Sequence, residues 1–317
     1  MRTRPIVRTL AAVLALTAVA TACVKVPITG RRQFNIVPDG IMRQLGASTY
    51  TSTLANENIS KGNENSQAIT QVGKAIAKAA NQPKYDWEFK LIQDNETINA
   101  WCLPGGKIAV YTGLLPVVKN EAGLSFVMGH EVGHATAHHG AERMSQQLAA
   151  LGGMGALYLY LDNKTELTTE QQAIVLGAMG LGLEFGVLLP FSRAHEKEAD
   201  VIGMMYMAKA GYPPSESIDV WDRMEKATGG GMPAFLSTHP SNENRQENLK
   251  EWMPQAKKRY ERNKSNRNTQ QTLWTDSEFS GGSSGKGGSS KGDSSKGGSS
   301  KGSSSGSESG KTSEGRK

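Results

Sequence analysis

The chain has 317 residues, 37% of them hydrophobic, and a formal net charge of +6; that length accommodates one or two domains with a buried core. The positive surplus sits at the ends, in Arg2, Arg4 and Arg8 and in the C-terminal lysines, so the middle is close to neutral, which argues against a nucleic-acid-binding protein. With two cysteines, Cys23 and Cys102, a disulfide scaffold is excluded.

Taken in order, residues 1–22 combine a basic start, an apolar run over 10–20 and small residues before Cys23. This is the pattern of a secretory signal peptide, too short and wrongly flanked for a spanning helix. Ala20-Thr21-Ala22-Cys23 matches a bacterial lipobox apart from alanine where leucine is usual, so Cys23 is expected to be lipidated and to begin the mature chain. Residues 23–40 lack periodicity and read as an extended tether. Cys102, then left without a partner, reads as a buried small hydrophobe. Helices are expected over 39–58 and 66–81. The second has Ile69, Val72, Ile76 and Ala79 at helical spacing, Ser66 as its cap and Pro83 as its stop. Trp87, Phe89 and Leu91 alternate with Glu88 and Lys90 as in a half-buried strand. Segments 98–103 and 107–112 flank Pro104-Gly105-Gly106 and read as a hairpin, whose edge is able to hold an extended peptide by main-chain hydrogen bonds.

Residues 124–143 read as one helix carrying His130-Glu131-Val132-Gly133-His134. Histidines four apart project from nearly the same side of a helix. Their neutral imidazoles can take adjacent corners of a tetrahedral Zn²⁺. Glu131, rotated by roughly 100° from the first histidine, reaches the open coordination position without being a ligand. Farther on, 148–161 and 173–191 are apolar but too short or too interrupted for membrane spans, and read as a helical hairpin beside the active site. Helices are expected over 192–210 and 214–227, a break at 229–231, a turn at His239-Pro240, and a last helix over 242–262 bent at Pro254. Gly, Ser and Lys dominate residues 266–317, where a disordered tail is expected.

A catalytic zinc needs a third protein ligand. The metzincin pattern would put Gly and His where Ala137 and Gly140 stand, and is rejected. The gluzincin pattern takes a Glu from a later helix, with an Asp four residues on to orient a histidine; Glu196 and Asp200 supply that pair. Ser192-Arg193-x-x-Glu196-x-Glu198-Ala199-Asp200 resembles the second signature of the CaaX-prenyl-protease-like, HtpX-like zinc metallopeptidases. Asn99-Ala100-x-x-x-Pro104-Gly105-Gly106 and Thr112-Gly113-Leu114-Leu115 are similar to that family's active-site strand. The lipobox points to its periplasmic lipoprotein members, similar to LoiP and BepA.

The resemblance implies an α+β, mainly helical gluzincin-type metallopeptidase domain over 41–265, with a small β-sheet beside the metal helix. It implies one Zn²⁺ per chain held by His130, His134 and Glu196, with Glu131 as general base and Asp200 orienting a ligand. His239 would stabilise the oxyanion or occupy the open position, Arg245, just beyond it, would help hold the oxyanion near the substrate, and Asn99 and Ala100 would line the substrate strand. Glu198 and His139 are expected to be structural and His138 to lie at the surface. The implied activity is hydrolysis of peptide bonds in unfolded or misassembled envelope proteins, as proteolytic quality control. The alternative is a chaperone-like role beside outer-membrane assembly machinery. The expected location is the bacterial cell envelope, with a lipid anchor in the outer membrane and the domain facing the periplasm.

Overall fold

The computed structural model describes residues 23–150, 152, 193–227, 234–239 and 245–264. The segment expected to be a signal peptide, most of the two apolar runs, the expected break at 229–231, Pro240 and the expected tail lie outside the described residues. Among those described, no helix is long and apolar enough to cross a membrane.

Strands β3 (Ile59–Ser60), β4 (Glu88–Ile92), β5 (Ala100–Leu103) and β6 (Lys107–Tyr111) form one sheet in the order β3-β4-β6-β5. The expected hairpin is β5–β6, and its turn places Gly105 (φ 94°) and Gly106 (φ 87°) in conformations that side-chain-bearing residues avoid. Because β6 inserts beside β4, those two run parallel, Glu88 opposite Lys107 and Ile92 opposite Tyr111, and β5 is left as an edge. Helices α1 (Asp39–Leu54) and α2 (Glu64–Ala80) flank the short strand β3. Asn63, rather than Ser66, caps α2: its side-chain oxygen accepts the Ser66 N–H at 2.8 Å. The face carrying Ile69, Val72 and Ile76 is fully buried in the core, as the periodicity requires.

A single turn, α3 (Leu115–Val118), leads into α4 (Glu121–Thr136). Every residue of α4 is buried, because α2, β5, α6 (Arg193–Lys209) and α7 (Glu216–Lys226) pack around it. The helix expected over 124–143 is therefore corrected to two. After Thr136 the chain turns through His138, at φ 55°, and α5 follows over residues 139–150. The break uses neither glycine nor proline, which is why the sequence pattern ran straight through it. Helices α8 (Ala234–Thr238) and α9 (Arg245–Glu261) complete the described part, with Pro254 inside α9. The result is an α+β fold, mainly helical, with a small sheet beside the central helix.

Two further features place the site. Gly129 and Gly133, one turn apart on α4, face Gly203 and Ala199 of α6, so the two backbones approach with no side chain between them. A Cβ on Gly203 would stand 2.6 Å from the His130 nitrogen and 2.9 Å from the Gly129 carbonyl carbon, backbone atoms unable to move aside. Gly203→Ala is expected to cost about 1–3 kcal/mol of stability by overpacking, read as a lower denaturant midpoint with an unchanged slope. The segment read as an extended tether is the second feature and a further correction. Cys23–Lys25 (β1) pairs antiparallel with Arg32–Phe34 (β2), a hairpin too short to leave a periodic signal.

A candidate metal centre

The close crossing of α4 and α6 decides which side chains meet. His130 and His134 come from α4, Glu196 and Asp200 from α6, and His239 from just after α8, and all five are buried. One ligand atom from each of His130, His134, Glu196 and His239 lies within 4.8 Å of the others. The two Nε2 atoms of His130 and His134 are 3.1 Å apart. Glu196 carboxylate oxygens stand 3.5 Å from the first and 3.4 Å from the second. Donors about 2.0–2.1 Å from a tetrahedral zinc are separated by about 3.4 Å, so the spacing suits that ion. His239 Nδ1 joins them at 3.3 Å from His130 Nε2 and 3.2 Å from both oxygens of Glu196.

Glu131 supplies an independent test of the fit. Its Oε1 is buried without a hydrogen-bond partner, 3.5 Å from His239 Nε2. Burial pushes its pKa up, against the pull of His239 and His130. An orphaned carboxylate oxygen is costly inside a protein. Beside two imidazoles and a carboxylate, it suits a base that must take a proton from a water molecule. The residues present fit a catalytic zinc.

Each histidine of α4 is held from behind. His130 Nδ1 lies 2.9 Å from Asp200 Oδ1, the carboxylate–histidine pairing that fixes a ligand's tautomer. Asp200 in turn accepts from Arg245 Nε at 2.7 Å and Nη2 at 2.8 Å. Burial raises the Asp200 pKa, but the Arg245 charge and the hydrogen bonds of His130 and Arg245 hold the carboxyl below its usual range. Glu196 is likewise buried, and the charges and hydrogen bonds of His134, His130 and His239 hold it far below that range. His134 Nδ1 lies 2.9 Å from His139 Nδ1, and His139 Nε2 lies 2.9 Å from Glu198 Oε2. Burial brings the His139 pKa down to about 4, so a neutral ring can accept at one nitrogen and donate at the other.

Arg245 does not have the expected place near the substrate. Its guanidinium is buried, lies 3.8 Å from the Trp221 ring centre, and gives its donors to Asp200, to Glu196 at 3.0 Å and to the His239 carbonyl. It braces the carboxylates instead. Asn99 and Ala100 do lie at the open edge of the sheet, but the Asn99 side chain is turned onto the Ala100 N–H at 2.9 Å. The next outward N–H, that of Cys102, is directed at the Glu131 carboxylate and favours its charged form; alternate residues of an edge strand face the same way. The edge strand is thus tied to the orphaned carboxylate. His138 is partly exposed, 3.8 Å from Asp39, and Cys102 packs partly buried against the core. Unforeseen were Thr29 and Arg31, which donate to Glu198, and Glu142 and His195, which pair with each other while Arg31 also grips Glu142; His139 and Glu142, three apart on one helix, were the available signal.

The profile of peptidase family M48 matches residues 63–253. The chain is 34% identical over 236 residues to the mitochondrial metalloendopeptidase OMA1 of Schizosaccharomyces pombe, an alignment covering 73% of this chain and 66% of that protein. The OMA1 protein of Saccharomyces cerevisiae is 32% identical over 259 residues, with 75% and 71% covered. The beta-barrel assembly-enhancing protease of Escherichia coli is 28% identical over 186 residues, which span 56% of this chain and 37% of that one. These findings correct the expected location and subtype. Relatives of higher identity than the bacterial one are named mitochondrial, so placement in a bacterial periplasm or outer membrane is overturned.

Proposed function

The chain belongs to peptidase family M48 and carries that family's zinc metalloendopeptidase domain, and from that premise we infer that His130, His134 and Glu196 hold the zinc while Glu131 is the general base. The observation that carries this reading is the Glu131 Oε1, buried without a hydrogen-bond partner beside the ligand cluster. When bound, zinc supplies Lewis acidity, polarising the scissile carbonyl and lowering the pKa of the attacking water. Glu131 takes the proton of that water and delivers it to the leaving amine. The raised pKa of this carboxyl suits the second half of the task, since the group must let the proton go as readily as it accepts it. Edge strand β5 holds the substrate extended through the outward carbonyls of Ala100 and Cys102, in register with Glu131. Asp200 and Arg245 keep His130 in the tautomer that leaves Nε2 free for the metal.

The substrates we infer are unfolded or misassembled membrane-associated proteins, cleaved as quality control; the name of one relative, a protease that enhances β-barrel assembly, supports this. A chaperone-like assembly role with rare cleavage is the second reading, and one observation favours it. His239 Nδ1 stands among the ligand atoms, its ring stacked on Phe235 with centroids 4.5 Å apart. The Phe235 N–H meanwhile donates to the Ile98 carbonyl at 3.0 Å, just ahead of the edge strand. On this reading His239, just after α8, takes the fourth position while α8 covers one end of the substrate strand, and turnover requires both to withdraw. The test is cleavage of unfolded casein by the wild type and by His239→Ala, with and without chelator. Chelator-sensitive cleavage that rises several-fold in His239→Ala supports a peptidase held closed by His239. Chelator-resistant cleavage contradicts the zinc reading, and a wild type inert together with an inert His239→Ala favours the chaperone.

A further inference from the structure

The ring of His134 is supported by a part of the chain that precedes the peptidase profile altogether. From His134 Nδ1 the contacts run to His139 Nδ1 and from His139 Nε2 to Glu198 Oε2, each at 2.9 Å. Glu198 is not left to hold His139 alone. Arg31 Nε donates to its Oε2 at 2.8 Å, and the Thr29 hydroxyl donates to its Oε1. The other two nitrogens of Arg31 grip Glu142 as a fork, Nη1 to Oε1 at 2.9 Å and Nη2 to Oε2 at 2.7 Å. Glu142 also meets His195 Nε2 at 2.9 Å, and the His195 ring stacks on His139, centroids 4.3 Å apart. One guanidinium therefore locks two nearly buried carboxylates, their side chains 4% and 6% exposed, from two different helices.

Thr29 and Arg31 reach this position because they sit at the tip of the β1–β2 hairpin. The tip is closed by Val26 N–H to the Arg31 carbonyl at 2.8 Å and Gly30 N–H to the Val26 carbonyl at 3.0 Å. Ile28 in that tip adopts φ 71°. A β-branched residue rarely takes that conformation, and it persists where the surroundings over-determine it, most often at functional positions. Here the surroundings are the core, on which Ile28 packs, and the two carboxylates. The direct counterpart on the other ligand is the Asp200–Arg245 pair behind His130. Each histidine of the metal helix thus has a carboxylate behind it that is itself clamped by an arginine, one directly and one through a relaying histidine.

We propose that the N-terminal hairpin is a working part of the metal centre: Arg31 and Thr29 fix Glu198, and through His139 they fix the ring of His134. The proposal rests on the reading of His134 as a zinc ligand. Arg31, Thr29, Glu198 and His139 are positioning residues on this account, and undocking the hairpin loosens the metal without touching any ligand. Removing the outer partner of a ligating histidine typically weakens metal binding by about 10–100-fold.

The test uses the full chain loaded with zinc, in Arg31→Ala, Arg31→Lys, Thr29→Val and Glu198→Gln, with the exposed Lys25→Ala on β1 as control. Zinc affinity is measured by chelator competition, and melting temperature is measured with and without zinc. The gain in melting temperature on adding zinc reports affinity separately from the stability of the metal-free fold. Expected are a loss of about 10–100-fold in zinc affinity for Arg31→Ala and Glu198→Gln and a smaller loss for Thr29→Val. Arg31→Lys should recover part of the affinity, since lysine meets one carboxylate but cannot fork onto two, and Lys25→Ala should bind zinc as the wild type does. A visible-absorption change in the cobalt-substituted Arg31→Ala protein would report the altered ligand geometry. If Arg31→Ala lowers both melting temperatures equally and binds zinc as tightly as the wild type, the hairpin only stabilises the fold and the proposal fails. If His134→Ala binds zinc like the wild type, the ligand reading fails, and the proposal with it.

Discussion

Glu131→Gln is expected to lower kcat for casein cleavage by about 10²–10⁴-fold while the protein keeps its zinc. The amide matches the carboxylate in size, and its oxygen can still accept the Cys102 N–H, so the edge strand and the ligands should stay in place. What is lost is the ability to take a proton from water at Oε1, the atom that the fold buries and leaves without a hydrogen-bond partner. Oε1 stands 3.5 Å from His239 Nε2, and the substitution replaces a buried carboxylate by a neutral amide of the same shape, so the variant should melt close to the wild type. Measuring kcat, zinc content and melting temperature together separates loss of the base from loss of the fold. Cleavage above a tenth of the wild-type rate, with zinc bound, would remove Glu131 from its assigned role.

The second large effect concerns Arg245, whose charge is spent entirely inside the protein. Arg245→Met keeps much of the side-chain volume over Trp221 but leaves Asp200 and Glu196 without the cation that faces both. Removing one partner of a buried ion pair typically costs about 3–5 kcal/mol, because the remaining charge stays buried. The expected result, in denaturant unfolding of the zinc-free protein, is a loss of that size. Asp200→Asn added to Arg245→Met should cost less than the sum of the two, since the uncompensated carboxylate is gone. A loss below about 1 kcal/mol for Arg245→Met would mean the carboxylates are stabilised by something other than this arginine.

The spacing of His130, His134, Glu196 and Asp200 was legible because it follows from helix geometry alone: three or four residues bring side chains to one face whatever the surroundings. The same reasoning placed α2, β4 and the β5–β6 hairpin within a few residues. It found α4 but ran past its end: burial on every side erases the contrast between faces, and the turn at His138 has no glycine or proline to announce it. The partners of Arg245 and the role of Arg31 were not legible for a different reason. Each arginine meets a carboxylate brought to it by tertiary packing, 45 and 167 positions away in the chain, and no local pattern encodes that choice. The hairpin tip lay within a stretch without periodicity, and two strands of three residues each leave almost nothing to read. The glycines that let α4 and α6 touch were visible in the sequence, but their partners were not.

The location of the metal is the central claim, and an anomalous difference map at the zinc edge, from crystals of the full chain, tests it most directly. The expected result is a single peak about 2.0–2.2 Å from Nε2 of His130, Nε2 of His134 and the carboxylate of Glu196, with Glu131 near it but not coordinating. A peak instead among His139, His195, Glu142 and Glu198, or no peak at the three proposed ligands in a protein that cleaves casein, would contradict the account.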